Sequence, residues 1–196
     1  MKTWATVLLL AALAGCASTS IEQVDGERAL GDSLVVRVDS AWNKMNLPGS
    51  KEPYETWTQE GLTLDHLRFW SGVPSGQAIA QPASAPAGGV APRVPTFVSG
   101  MSPEQLVQLF EVLYASDGSL VTMGRVAPAR FAGGDGLRFE FDWVRKEDDV
   151  QLKGVGWLAV RQGKLYAATF AAPRLHFFGR LYPQAQAVID TATVRP

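Results

Sequence analysis

Few side chains in this sequence belong to types that could do chemistry, and their spacing narrows what that chemistry could be. There are two histidines, His66 and His176. On a hairpin turning at Glu60-Gly61, Glu55 falls across from His66, and a carboxylate beside an imidazole can hold it as a proton carrier. The same pairing is also a plain cross-strand polar contact near a sheet surface, which is the preferred reading. His176 reads as a solvated residue at the start of a helix rather than a ligand. Glu147-Asp148-Asp149 lacks the spaced oxygen ligands of a calcium loop and reads as a solvated hairpin tip. Glu140 and Asp142 share one strand face, a common surface arrangement that does not by itself define an acid–base pair. Gly133-Gly134-Asp135-Gly136 imitates a phosphate loop only weakly, having no following Lys-Ser/Thr and no helix after it. A nucleophile elbow, a paired-cysteine metal site and a histidine pair at ligand spacing are all missing from the sequence. The expectation is therefore no catalytic residue, no metal and no cofactor.

Composition agrees with a single ordinary globular unit. The chain has 196 residues, 46% of them hydrophobic, and a formal net charge of −1, enough to bury a core of its own. Lys and Arg are scattered without a basic patch, which argues against nucleic acid as a partner. Cys16 is the sole cysteine, so no internal disulfide can form.

The N-terminus accounts for that cysteine. Met1-Lys2 gives a short positive region, Trp4 to Leu13 an apolar run of signal-peptide length, and Leu13-Ala14-Gly15-Cys16 small residues at the cleavage point. This stretch resembles the bacterial lipobox. The resemblance implies that residues 1–15 are removed, and that Cys16 becomes the new N-terminus, with a diacylglyceryl group on its sulfur and an acyl group on its amine. An apolar run this short cannot span a bilayer, which takes about 20 residues. Ala17 and Ser18 follow, neither being the aspartate that marks inner-membrane retention in the enterobacterial pattern, so the expected home is the periplasmic face of the outer membrane. Loss of Lys2 leaves 17 basic against 19 acidic residues, a net charge of −2, so lipid rather than charge must carry attachment. Residues 16–31, polar and without hydrophobic period, read as a flexible tether, and 32–196 as one domain.

The elements that would position any site follow from periodicity. Leu137, Phe139, Phe141 and Trp143 alternate with Arg138, Glu140 and Asp142, a strand with one buried face. A polar loop at Lys146 to Asp149 then sets Trp143 opposite Leu152, Phe141 opposite Gly154 and Phe139 opposite Gly156, so that rings cover glycines. Gln162-Gly163 suits a tight hairpin into a third strand. Both faces of that strand are apolar (Leu165, Ala167 and Ala171 against Tyr166, Ala168 and Phe170), as in a central strand covered on both sides. Upstream, Ser33 to Val38 reads as a strand, and Tyr54 to Thr58 with Leu62 to Trp70 as a hairpin setting Trp57 against Leu64 and Tyr54 against Leu67. Ser71 to Pro92 has no charged residue and is broken by proline and glycine; a disordered insertion at about 71–95 is expected, with a partner-binding loop as the alternative. Ser102 to Ser116 predicts a helix with a capping box and an apolar stripe of Leu106, Leu109, Phe110 and Leu113. Leu120 to Phe131 predicts a strand, and Leu175, Phe178, Leu181, Ala185, Val188 and Ile189 a closing helix with Pro183 as a kink.

In this order, the runs Gly154-Val155-Gly156-Trp157, Gly163-Lys164-Leu165-Tyr166 and Phe170-Ala171-Ala172-Pro173 before a last helix resemble the ending of PsbP-like domains, a family named for an extrinsic photosystem subunit. The resemblance covers about Ser33 to Val194. It implies an α+β fold, an α/β/α sandwich around a central antiparallel sheet with two main helices, and carries over no catalytic, metal or partner residue. Two functions are expected ahead of catalysis. One is a lipid-anchored periplasmic binding or assembly factor of the cell envelope, holding a protein partner on a sheet edge or on the 71–92 loop. The other is a carrier of a small apolar ligand or lipid, using Trp157, Tyr166 and Phe170 on the face opposite Phe139 and Trp143. An envelope hydrolase built on His66 or His176 ranks third.

Overall fold

The computed structural model describes residues 20–81 and 94–195. The expected signal peptide at 1–15, Cys16 and residues 82–93 of the expected insertion lie outside that range. The described chain forms one mostly antiparallel sheet and two helices. In chain order these are β1 (Ser20–Leu30), β2 (Leu34–Asn46), β3 (Glu55–Thr58), β4 (His66–Pro74), α1 (Pro103–Ala115), β5 (Leu120–Phe131), β6 (Gly134–Val144), β7 (Gln151–Arg161), β8 (Lys164–Pro173), α2 (Phe177–Asp190) and β9 (Thr193–Val194). The sheet runs β1-β2-β3-β4-β8-β7-β6-β5, with β9 on β2.

The β6–β7–β8 meander adopts the register that ring-over-glycine pairing dictates. Trp143 faces Leu152, Phe141 faces Gly154 and Phe139 faces Gly156. A Cβ built on Gly154 would stand 2.1 Å from Phe141 Cζ, and one on Gly156 2.1 Å from Phe139 Cζ, so the rings occupy the volume that side chains there would need. Gln162 and Gly163 turn with φ of 49° and 72°, the pair of positive values that a two-residue hairpin between twisted strands requires. Central β8 is buried on both faces, as its two apolar parities predict.

Each face carries its own core. Tyr166, Ala168 and Phe170 pack with β1, β2 and the Leu181, Ala185, Val188 and Ile189 side of α2. Leu165, Ala167 and Ala171 pack with Phe139, Phe141, Trp70 and the Leu106, Leu109, Phe110 and Leu113 stripe of α1. Ser102 closes the predicted capping box on α1, its side chain accepting from Gln105 N while Gln105 Oε1 accepts from Ser102 N. Pro183 sits inside α2, where it removes the donor that would reach Gly179. Leu175 precedes the helix and is 75% exposed, so the closing stripe begins at Phe178 rather than Leu175.

Three expectations need correction. The tether assigned to residues 16–31 includes β1, which pairs with β2 from Ser20↔Asn46 to Leu30↔Leu34 around a bulge at Val24/Gly26. As an edge strand it buries only Val24 and Leu30, so it has no continuous apolar period, and charges at Glu22, Glu27 and Arg28 suit an unpaired edge. The expected insertion at 71–95 is ordered at both limbs. Residues 71–74 continue β4, Gly76 N donates to Phe97 O (2.7 Å), Ile79 N to Pro95 O (2.8 Å), and Trp70 Nε1 to Ile79 O (2.7 Å). Ile79 and Phe97 are fully buried, and these two anchors give an otherwise low-complexity stretch its place. Finally, the β3–β4 hairpin is shifted from the predicted register: Trp57 faces Leu67, Thr56 faces Arg68 and Glu55 faces Phe69. Asp65, fully buried, is the reason. Its carboxylate accepts from Thr58 Oγ1 (2.8 Å), Gln59 N (2.8 Å) and Glu60 N (2.7 Å), turning residues 59–65 into a wide polar loop instead of a tight turn.

Candidate functional site

The shifted hairpin separates the one acid–imidazole pair that the sequence offered. His66 lies opposite Ala171 on β8, and Glu55 holds Lys44 Nζ at 2.9 Å while accepting from Trp57 Nε1 at 3.4 Å. His66 is 4% exposed, with its ring 6.1 Å from Tyr114 and edge-on to Trp143 at 5.8 Å. Burial first, then the positive charges of Arg68 and Arg145, hold its pKa well below the usual imidazole value, so it is neutral at neutral pH. Its Nε2 has no hydrogen-bond partner. A proton carrier held by Glu55 is therefore not what this pairing makes.

The two residues nevertheless line one cleft. Its volume is about 380 Å³, and it opens between the end of β2, the segment leading into β3, and β4. Arg68 forms part of its wall, reached on β4 by the same alternation that points His66 and Trp70 to that face. The guanidinium carbon sits 5.0 Å from the Tyr54 ring centroid and 5.6 Å from that of Tyr114, inside the range for cation–π attraction. Among the described residues no carboxylate lies within 4.0 Å of Arg68, and its Nε is buried without a partner. Glu52, also in the wall, accepts from Gln81 N at 2.9 Å. Tyr54 is pushed up to about 12, chiefly by burial, with Arg68 opposing and Glu52 adding to the rise. Tyr114, buried beside Arg68 and not itself a lining residue, has its hydroxyl 2.6 Å from Thr169 Oγ1.

The other sequence candidates stand apart from this cleft. His176 is exposed at the start of α2 with φ of 66° and no side-chain cap bond. Asp148 of the β6–β7 tip holds Arg145 at 2.8 Å, and that bond keeps its carboxyl below the usual range. Glu140 is ion-paired to Arg138 at 2.8 Å and lies 3.7 Å from Lys153, while Gly133 and Gly134 serve the β5–β6 turn. No group of three or more His, Cys, Asp or Glu able to hold a metal occurs among the described residues. Trp157, Tyr166 and Phe170 are not a surface at all. They are at most 3% exposed, with Tyr182 of α2 stacked 6.3 Å from Trp157 and Phe178 5.7 Å from Phe170. Sequence reasoning missed Lys44, Glu52, Tyr54 and Arg68. The available signal was Arg68 itself, a charge on the same parity as buried Trp70 in a strand otherwise apolar.

In architecture, a mostly antiparallel sheet with two helices, the chain is similar to a PsbP-like structure. Among solved structures it is similar to the cyanobacterial PsbP protein CyanoP of Synechocystis sp. PCC 6803, with a TM-score of 0.58 at 12% identity over 95% of this chain and 99% of that one. At that identity the likeness speaks for the fold alone. No protein-family model and no curated protein matches the chain by sequence.

Proposed function

We propose that this chain is a lipid-anchored binding or assembly factor of the bacterial cell envelope, without catalytic activity, whose binding element is the β2–β3–β4 cleft. The observation that carries this reading is the cleft itself: a concave site walled by Arg68 and His66, whose buried Nε and Nε2 find no partner among the described residues. Buried polar groups are nearly always satisfied, so unsatisfied ones beside a cavity point to a ligand. The lipobox ending at Cys16 supports attachment to the periplasmic face of the outer membrane. One helix on each face of the sheet supports reading the fold as the PsbP-like α/β/α sandwich. The apolar-carrier reading loses its site, because α2 fills the space over Trp157, Tyr166 and Phe170. The hydrolase reading loses the pair it was built on, since Glu55 faces Phe69 and holds Lys44, and among the described residues no carboxylate lies within 4.0 Å of His66.

The test is in-cell photo-crosslinking of the native lipidated protein, with the photoreactive residue at Leu47. This position lines the cleft and is 44% exposed. A discrete set of envelope proteins or ligands captured from Leu47, and lost when Cys16→Ser removes the anchor, is the expected result. Capture from control positions on α2 but none from Leu47 would move the binding surface elsewhere.

A further inference from the structure

We propose that the cleft is an oxyanion site, in which the Arg68 guanidinium takes the carboxylate or phosphate group of its ligand; this deepens the binding reading above and rests on it. Arg68 is the one cation in the wall without a carboxylate partner among the described residues. The half-buried cations Lys44, Arg138 and Arg145 each hold a carboxylate, at 2.9, 2.8 and 2.5 Å, whereas Arg68 holds none among the described residues. Keeping such a charge partly out of water without a counter-ion is costly, and an anion entering the cleft removes that cost.

Geometry supports the same assignment. Tyr54 and Tyr114 flank the guanidinium at 5.0 and 5.6 Å, and the Tyr114 hydroxyl is drawn to it, so neutral phenols rather than a carboxylate surround it. With Nε unpartnered and no carboxylate bound among the described residues, the guanidinium can still take a planar or tetrahedral oxyanion, for which arginine's forked donors are well matched. His66 gives the second, independent observation. It is 4% exposed, lines the same cleft, and its Nε2 lacks a partner; a neutral imidazole adds no competing negative charge and can present an N–H to the ligand. Of the two carboxylates in the wall, Glu55 is paired with Lys44 and accepts from Trp57, while Glu52 accepts from the Gln81 amide and keeps its charge. A cleft of about 380 Å³ suits a small molecule or a headgroup rather than a folded partner.

The experiment uses the lipidated full chain, ¹⁵N-labelled, in maltoside micelles that contain no phosphate. Inorganic phosphate and acetate are titrated in separate arms, and a third arm moves the protein into phosphatidylglycerol nanodiscs. The Arg68 Nε–H resonance and the Thr56 and His66 amides are followed in the unmodified protein, so the readout does not depend on a variant folding. Saturable shifts at these nuclei are expected, with affinity falling about tenfold or more in Arg68→Gln and less in Arg68→Lys. Shifts with soluble phosphate or acetate identify a free oxyanion as the ligand type, and shifts only in nanodiscs identify a lipid headgroup. No saturable response in any arm, or equal affinity in Arg68→Gln, overturns the oxyanion site. If that happens while crosslinking from Leu47 persists undiminished in Arg68→Gln, the binding reading stands without it. A phosphate response with no Leu47 capture has the opposite meaning.

Discussion

His66 and Asp65 are neighbours in sequence and both buried, yet they act on stability in different ways. His66 is neutral in the folded protein because burial and two arginines depress its pKa, while in the unfolded chain it titrates near 6.5. Below that pH the unfolded state binds a proton that the native state does not, so stability must fall as pH drops from about 6.5 towards the depressed native value, by up to about 1.4 kcal/mol per pH unit. Urea unfolding at pH 7.5 and 5.0 should show this loss in the wild type and a smaller loss in His66→Gln; equal losses would rule out His66 as the source. Asp65 works through geometry. Its carboxylate satisfies two backbone amides and the Thr58 hydroxyl, so Asp65→Ala strands buried donors and should cost about 2–3 kcal/mol in urea unfolding at neutral pH. These three bonds also explain why the hairpin register could not be read from the sequence. Counting from Glu60-Gly61 assumes a tight turn, and nothing in the apolar pattern announces that a carboxylate five residues further on will hold the loop open.

Among the elements, the β6–β7 pair shows how local pattern can fix structure. Two aromatic rings, two glycines and one polar loop were enough to set the register, because any slip would put rings against polar side chains. Gly154→Ala places a methyl 2.1 Å from Phe141 Cζ and should destabilise by about 1–3 kcal/mol. Phe141→Leu in the same molecule should recover part of that, giving a double-mutant energy below the sum of the singles; strict additivity would show that the ring and the glycine do not compete for space. Helix α1 was legible for the same reason, its capping box and stripe lying within one short segment, and Ser102→Ala should cost about 1 kcal/mol in thermal or urea unfolding. Strand β1 and the ordered limbs around Ile79 and Phe97 were not legible. An edge strand buries too few side chains to print a period, and the limbs owe their order to Trp70 and to each other across a stretch with no pattern of its own.

For the molecule as a whole, the same contrast separates fold from site. The sheet and helices could be read because they repeat; the cleft brings together β2, β3, β4 and the connection before β3, and only the true strand pairing puts Lys44, Tyr54 and Arg68 around one space. That pairing has a further result through β1. Ser20, the fourth residue after Cys16, is already hydrogen-bonded opposite Asn46, and four residues reach at most about 14 Å when fully extended. With the proposed lipid on Cys16, the domain is held on a short leash rather than a swinging line, and the corner that carries Ser20 is kept at the bilayer. Ile21 and Leu47, 64% and 44% exposed, sit at that corner, and so does the β2 end of the cleft. A nitroxide on a lipid headgroup should therefore broaden the amides of Ile21 and Leu47 strongly and that of Asp32, at the far turn of the hairpin, weakly; uniform broadening would mean the domain tumbles freely. Held this way, the proposed site would meet its ligand with a fixed bearing, its mouth at Leu47 on the same corner as the anchored end of β1.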